Sequence, residues 1–250
     1  MRTVGIIPAR YASTRFPGKP LALISGRPMI EWVYRRAALA KSVDSILVAT
    51  DDRRIYEAVS SFGGSAVMTS PDRASGTDRI AEACANLDSE IVLNIQGDEP
   101  LLEPSALDDL VSLLRGDPAL ELGTLVAPIT EGEELRDPNV VKVVTGARDE
   151  CLYFSRSPIP YVRDPGSRKP VFLKHIGIYG FRKSLLMRFA SLPQGELEKA
   201  ESLEQLRALE NGVRIRAARI EKWPGISVDV PSDIAKVEEL IKKGDFTPPF

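Results

Sequence analysis

Apolar runs too short to be helices recur through the first half of the chain. After each comes a stretch in which apolar residues return every three or four positions. Val4 to Pro8, Ser45 to Thr50, Ala66 to Met68 and Ile91 to Ile95 are apolar on both faces, the pattern of strands buried between two layers. Between them, Ile30, Val33, Tyr34 and Ala37 mark a helix over 28–40 that Pro28 opens. Helices over 52–62 and 77–87 follow, with Asp52 and Thr77 as their N-caps. Strand and helix in alternation require crossover connections and hence a mostly parallel sheet. The expected fold class is α/β, a mostly parallel nucleotide-binding sheet flanked by helices.

From about Leu120 the texture changes. Strands over 123–128, 140–145 and 151–155 follow with few helices between them, which predicts a mixed, partly antiparallel second half. A Pro-rich loop spans 157–170, and a further strand 172–182. Helices are expected over 183–192 and 197–210, the latter preceded by Gly195, a weak cap. Strands over 213–218 and 226–230 and a closing amphipathic helix over 232–243 complete the pattern. No repeat and no linker breaks it, so residues 1–250 are expected to form a single compact unit.

Composition narrows the function. Thirty-three Lys and Arg stand against 35 Asp and Glu, a net charge of -2, without the basic surplus of a nucleic-acid binder. The two cysteines, Cys84 and Cys151, make neither a disulfide framework nor a metal-ligand spacing, which fits a reducing cytoplasm. The apolar run Val4 to Pro8 is too short for a signal peptide, and no run approaches the roughly 20 residues of a membrane span. A cytoplasmic protein without membrane insertion is expected.

The loop after the first strand, Ile7 to Leu21, packs Arg10, Arg15 and Lys19 into ten residues with Ser13, Thr14 and Gly18 among them. Ligands of open α/β sheets bind at strand carboxyl ends. There, paired Arg donors and a mobile Lys charge suit a polyphosphate; a solvated basic loop is the plainer alternative. Both GxxxxGK[ST] and GxGxxG are absent, which disfavours P-loop enzymes and dehydrogenases. Asp98 follows the apolar run ending at Ile95, and Asp229 lies inside 226–230. Two such carboxylates can hold Mg²⁺ together with substrate phosphates, although Asp98 before Pro100 also suits a turn. Asp51 and Asp52, after another strand, read as helix caps. Ser75-Gly76-Thr77 reads as a helix start able to meet an anion. With one histidine in the chain, no Ser-His-Asp set can be assembled.

The segments IPARYASTRFPGKPL (7–21), SGTDR (75–79), NIQGDEP (94–100), VKVV (141–144), YFSRSPIPY (153–161), KHIGIYGFR (174–182), LEQLR (203–207) and GISVDVP (225–231) resemble, in this order, the sugar-acid cytidylyltransferases. The likeness covers nearly the whole chain and is greatest to members whose acceptor is 3-deoxy-D-manno-octulosonate. It implies a Mg²⁺-dependent reaction of CTP with that sugar acid, giving the CMP-sugar and pyrophosphate for lipopolysaccharide assembly. It also implies catalytic roles for Arg10, Lys19, Asp98 and Asp229, with Asp98 and Asp229 as metal ligands. Nucleotide contacts are implied for Ala9, Arg10, Ser13, Thr14, Arg15, Lys19, Arg73, Ser75, Gly76 and Arg79. An acceptor pocket is implied at Gln96, Arg156, His175, Tyr179, Glu204 and Gln205. Alternation independently places His175, Gly177 and Tyr179 on one strand face, and Arg offers the paired donors that a sugar-acid carboxylate needs. The resemblance further implies a homodimer, with Leu152, Phe154, Ile159 and Tyr161 as interface candidates. The nucleotide is then expected over about 1–120, and acceptor binding and dimerisation over about 121–250. Rival readings are a cytidylyltransferase for a sialic acid or for the 8-amino analogue, a GT-A-like glycosyltransferase, and a nucleotide-binding regulator without catalysis. The glycosyltransferase is disfavoured because Gln96-Gly97-Asp98 lacks the first Asp of a DxD pair.

Overall fold

The structure, a computed structural model, describes residues 1–13, 15–73, 75–164, 166, 170–221, 223, 226–244, 246 and 248–250. In chain order the first half comprises β1 (Thr3–Ala9), a 3₁₀ turn (Lys19–Leu21), the short hairpin β2 (Leu23–Ile24) and β3 (Arg27–Pro28), α1 (Met29–Ala37), β4 (Ser45–Thr50), α2 (Arg53–Ser61), β5 (Ala66–Met68), α3 (Gly76–Cys84), β6 (Ile91–Asn94) and α4 (Pro104–Gly116). There follow β7 (Leu122–Pro128), α5 (Gly132–Arg136), β8 (Lys142–Thr145), β9 (Cys151–Ser155), β10 (Leu173–Arg182), α6 (Lys183–Phe189), α7 (Glu196–Glu201), α8 (Gln205–Glu210), β11 (Ile215–Arg219) and α9 (Pro231–Lys242).

One sheet carries strands from both halves, in the order β11-β7-β10-β6-β1-β4-β5, with β8 joined to β10 and β9 to β8. The β6-β1-β4-β5 part is parallel throughout. β10 runs antiparallel between β6 and β7 and also pairs β8, while β11 returns parallel to β7. The antiparallel texture expected of the second half is therefore present, with β11 the parallel exception. β1 and β6 lie at the centre and β6 is buried along its whole length, which is why their sequences are apolar on both faces. The chain leaves β1 towards β4 and β5, then crosses back to β6. A crevice opens outside the carboxyl ends of β1 and β6, the place where such sheets bind ligands.

Four local expectations are corrected. α3 begins at Gly76, and its cap is Ser75, whose hydroxyl accepts the Asp78 N–H (3.1 Å) while Asp78 accepts the Ser75 N–H (3.0 Å); Thr77 is not the cap. The helix expected over 197–210 is two helices, because Ser202 adopts a left-handed conformation (φ 52) between α7 and α8. The strand expected over 226–230 does not form. Among the described residues, one backbone bond to another part of the chain, from Val228 N–H to the Asp98 carbonyl (2.9 Å), replaces a ladder. Finally, α4 is a helix that the apolar spacing of Ala106, Leu107, Leu110, Val111 and Leu114 carries but the sequence reading passed over. Gly195 at the start of α7 has a packing reason: a Cβ there would collide with the Glu210 carboxylate. That carboxylate instead caps α7, accepting the N–H groups of Leu197 (3.0 Å) and Glu198 (3.3 Å).

Candidate active site

The cationic loop leaves β1 at Ala9, which is buried at the strand end. Gly18 turns the loop back with φ 72, its N–H bonding the Tyr11 carbonyl (2.9 Å), and the 3₁₀ turn then delivers Lys19 inward. The Lys19 ammonium donates to Asp98 Oδ2 (2.8 Å) and to the Val228 carbonyl (2.9 Å), and lies 3.9 Å from Asp229 Oδ1. Arg15 donates to the same Asp229 oxygen at 3.0 Å. Lys19, Asp98 and Asp229, three of the four residues given catalytic roles by the resemblance, therefore meet and are joined by Arg15, although Asp229 arrives on an irregular segment rather than a strand. Arg10 reaches across to the Arg73 carbonyl (2.6 Å), and Ser13 accepts the Phe16 N–H (3.3 Å). Thr14 lies outside the described residues.

Two cavities open beside this cluster and share Gln96, His175 and Gly177. The larger, about 730 Å³, is lined by Ser75 and Gly76 at the α3 start and by Gln96, His175, Tyr179, Glu204 and Gln205. The smaller, about 380 Å³, is lined by Asp98 and Asp229 with Glu99, Trp223, Ser227 and the Lys174–Glu134 pair. Five of the six acceptor residues thus line one cavity. Arg156 does not line either cavity. Its guanidinium is held by the carbonyls of Glu201 (2.7 Å), Pro138 (2.8 Å) and Ser202 (3.3 Å), so it buttresses the break between α7 and α8.

The β10 side of the larger cavity is neutral, whereas α7, α8 and the break between them bring Glu198, Lys199, Glu204 and Arg207 to it. His175 Nε2 sits 2.9 Å from the Thr124 hydroxyl and its ring packs between Phe154 and Tyr179. Burial pushes the imidazole down to about 3, so the ring is uncharged at neutral pH. Burial, reinforced by the Glu204 charge, raises the Tyr179 phenol well above its ordinary range. Burial also raises Glu204, against the opposing pull of its hydrogen bond from Thr77. Gln205 lines the cavity and is 5% exposed, and its buried Nε2 has no hydrogen-bond partner among the described residues. Gln96 donates to the Gly177 carbonyl (2.9 Å), which fixes the partition between the compartments.

The remaining nucleotide residues divide. Arg73 is exposed and paired with Glu82 (2.6 Å). Arg79 is sealed from solvent, donating to Asp51 (2.9 Å) and to the Thr69 hydroxyl, so it ties the ends of β4 and β5 to α3 from behind the crevice. Asp51 is thereby an ion-pair partner and not a cap, whereas Asp52 does cap α2 through the Arg54 N–H (2.9 Å). Sequence reasoning missed Glu99, next to Asp98, and Ser227, two residues before Asp229, and read Thr77 only as part of a helix start. Glu99 is 6% exposed, accepts the Ser227 hydroxyl, and is pushed up to about 8, first by burial and then by the Asp98 charge. Among the described residues no group of three or more His, Cys, Asp or Glu could hold a metal ion. No described helix is long and apolar enough to cross a membrane.

The cytidylyltransferase family model matches residues 4–215. The chain is 50% identical over 249 residues to a 3-deoxy-manno-octulosonate cytidylyltransferase of Syntrophotalea carbinolica, covering 97% of this chain and 99% of that protein. It is 52% identical over 242 residues to the protein of the same name from Myxococcus xanthus, covering 96% and 97%. A solved structure of CMP:2-keto-3-deoxy-manno-octonic acid synthetase complexed with CTP matches with a TM-score of 0.92 at 44% identity, over 98% of this chain and 100% of that one. A cytidylyltransferase from Leptospira borgpetersenii, 18% identical, shares the fold with a TM-score of 0.67 over 100% and 90%. With the crevice, the cationic loop and the two aspartates in place, the chain belongs to the cytidylyltransferase family.

Proposed function

We propose that the protein transfers CMP from CTP to 3-deoxy-D-manno-octulosonate, releasing pyrophosphate. The end-to-end likeness to the Syntrophotalea carbinolica enzyme carries this reading, at 50% identity with 97% of the chain aligned. The acceptor hydroxyl attacks the α-phosphorus and the pyrophosphate leaves in line. Arg10, Arg15 and Lys19 bind the triphosphate and hold the charge of the departing pyrophosphate. Ser75 and Gly76 meet the nucleotide at the α3 start, with Arg73 at its rim. Gln96, His175, Tyr179, Glu204 and Gln205 seat the sugar acid in the larger cavity, oriented so that its hydroxyl reaches the smaller one. A neutral His175 and Tyr179 exchange hydrogen bonds with sugar hydroxyls without adding charge. Arg156 contributes to the acceptor side by holding the chain break that presents Glu204 and Gln205.

The donor set fits a hard divalent cation. Asp98 and Asp229 are partly exposed, converge on one ammonium and need only phosphate oxygens and water to complete an oxygen shell. Mg²⁺ held there would offset phosphate charge and lower the pKa of the attacking hydroxyl. The chain acts as one catalytic unit, since β6 and β10 of the two halves share the sheet. We place it in the cytoplasm as a homodimer. Leu152 and Tyr161, 61% and 87% exposed, support an interface there; Phe154 is fully buried in the core and is withdrawn from it. Pyrophosphate release from CTP with 3-deoxy-D-manno-octulosonate, its 8-amino analogue and a sialic acid tests the reading. The first is expected to react with a kcat/KM at least ~100-fold above the sialic acid. No release with the first, or equal release with all three, contradicts it.

A further inference from the structure

Asp229 has to be fixed opposite Asp98, yet the segment that carries it, 226–230, belongs to no sheet. Its attachments are few. Arg15 and Lys19 hold it by charge, through Asp229 and the Val228 carbonyl. Both are cations that the triphosphate recruits, so these two attachments weaken when CTP binds. The hydrogen bonds that then remain are the Val228 N–H on the Asp98 carbonyl (2.9 Å), the Asp233 carboxylate accepting the N–H groups of Asp229 (3.0 Å) and Val230 (3.1 Å), and the Ser227 hydroxyl on Glu99, beside the apolar packing of Val228 on Leu101 and Trp32. The Asp233 bonds tether the segment to its own following helix. Only the Val228 and Ser227 bonds reach across to the turn that carries Asp98.

Glu99 is an unusual residue to find there. It is 6% exposed beside two other acidic side chains, and its Oε2 has no hydrogen-bond partner among the described residues. Burying an acid in such company is costly unless its acceptor oxygen serves a purpose. We propose that Glu99 is a positioning residue: by accepting the Ser227 hydroxyl it locks the Asp229 segment onto the Asp98 turn and holds the two aspartates at the spacing a divalent cation requires. Groups that orient metal ligands typically govern metal affinity by 10–100-fold. The inference rests on the metal reading given above.

The test is a calorimetric titration of Mn²⁺–CTP, without acceptor, into the full-length protein and its variants. Glu99→Ala and Ser227→Ala are each expected to weaken binding about 10-fold, and the double variant no more than Glu99→Ala, because the Ser227 bond is lost in all three and Glu99→Ala alone also removes the contact with Trp223. Glu99→Gln, which still accepts a hydroxyl, is expected to stay within about 3-fold of wild type. kcat should fall in Glu99→Ala while the acceptor KM is unchanged. Wild-type affinity in Ser227→Ala, additive losses in the double variant, or equal loss in Glu99→Gln and Glu99→Ala each overturn the proposal. Ser227→Ala removes a single oxygen and keeps the test available where Glu99→Ala fails to fold. Asp98→Asn and Asp229→Asn run alongside. If they bind Mn²⁺–CTP as wild type, the metal reading itself falls; if they fail to bind it while Ser227→Ala binds normally, only the positioning role falls.

Discussion

The two compartments of the crevice share Gln96, His175 and Gly177 and are otherwise unlike. Around the smaller one the chemistry-bearing groups are charged and reach solvent. Lys19 is 17% exposed, Asp98 28% and Asp229 41%, and they neutralise one another while awaiting a charged ligand. In the larger one the charged side chains Glu198, Lys199, Glu204 and Arg207 come from α7, α8 and the break between them, while neutral groups supply the rest, His175 bonded to Thr124, Gln96 to Gly177, and Gln205 buried with a donor unused. The difference teaches how labour is divided. Charge that must move or be shielded during reaction stays where water and phosphates can replace its partners. Selection among similar sugars uses buried neutral donors, because an unmatched one is left unpaired at a cost of about 1–3 kcal/mol.

The comparison breaks most visibly at the aspartates. Asp98→Asn and Asp229→Asn should each lower kcat at least ~100-fold, about 2.7 kcal/mol, with melting temperature near wild type. The double variant should be little worse than either, since the two act as one unit. Near-normal turnover at saturating Mg²⁺ in either single variant removes that residue from the account.

A smaller effect is expected at Arg156. Arg156→Ala should raise the acceptor KM about 10-fold, near 1.4 kcal/mol, by loosening the chain break that presents Glu204 and Gln205, and leave the CTP KM within about 3-fold. Arg156→Lys keeps the charge but not the fork that spans Glu201, Pro138 and Ser202, so it should behave like Ala. Full rescue by Lys would mean that the charge itself faces the substrate.

His175 sharpens the neutral side through pH. Its folded value of about 3 lies below the ordinary 6.5, so between these values the unfolded chain binds a proton that the folded one refuses. Folding stability should therefore fall as pH drops from about 6.5 towards 3, and be unaffected by this group above 6.5. Chemical denaturation of His175→Gln against wild type should show a shallower acid limb. An unchanged limb contradicts a neutral, desolvated ring. The smallest effect is at the α3 start, where Ser75→Ala should cost about 1 kcal/mol of stability through the lost cap, read from denaturant midpoints.

The sequence made the parallel core legible because β1 and β6 are buried on both faces and β4 nearly so beyond its exposed Ser45, which leaves their interiors apolar. The cationic loop and Asp98 were legible for a related reason, since charge at a strand end is conspicuous; Asp229 was legible as an acid within an apolar run, although no strand forms there. Segment 226–230 misled because Ile226 and Val228 alternate like a strand. Val228 is buried in a packing cluster with Trp32 and Leu101, not in a ladder, and periodicity does not distinguish the two. The α7–α8 break escaped because Ser202 is an ordinary helical residue by pattern. Its left-handed turn is held from outside by Arg156, a long-range contact. Arg79 could not be placed for the same reason: its Asp51 partner lies 28 positions away.

The division of labour is tested most directly by one steady-state measurement that varies both substrates in two single variants, Asp229→Asn and Gln205→Ala. The account predicts that Asp229→Asn loses kcat at least ~100-fold with the acceptor KM within about 3-fold of wild type. Gln205→Ala should do the reverse, raising the acceptor KM about 10-fold, near 1.4 kcal/mol, with kcat within about 3-fold. Both variants moving the same constant by similar factors would contradict it.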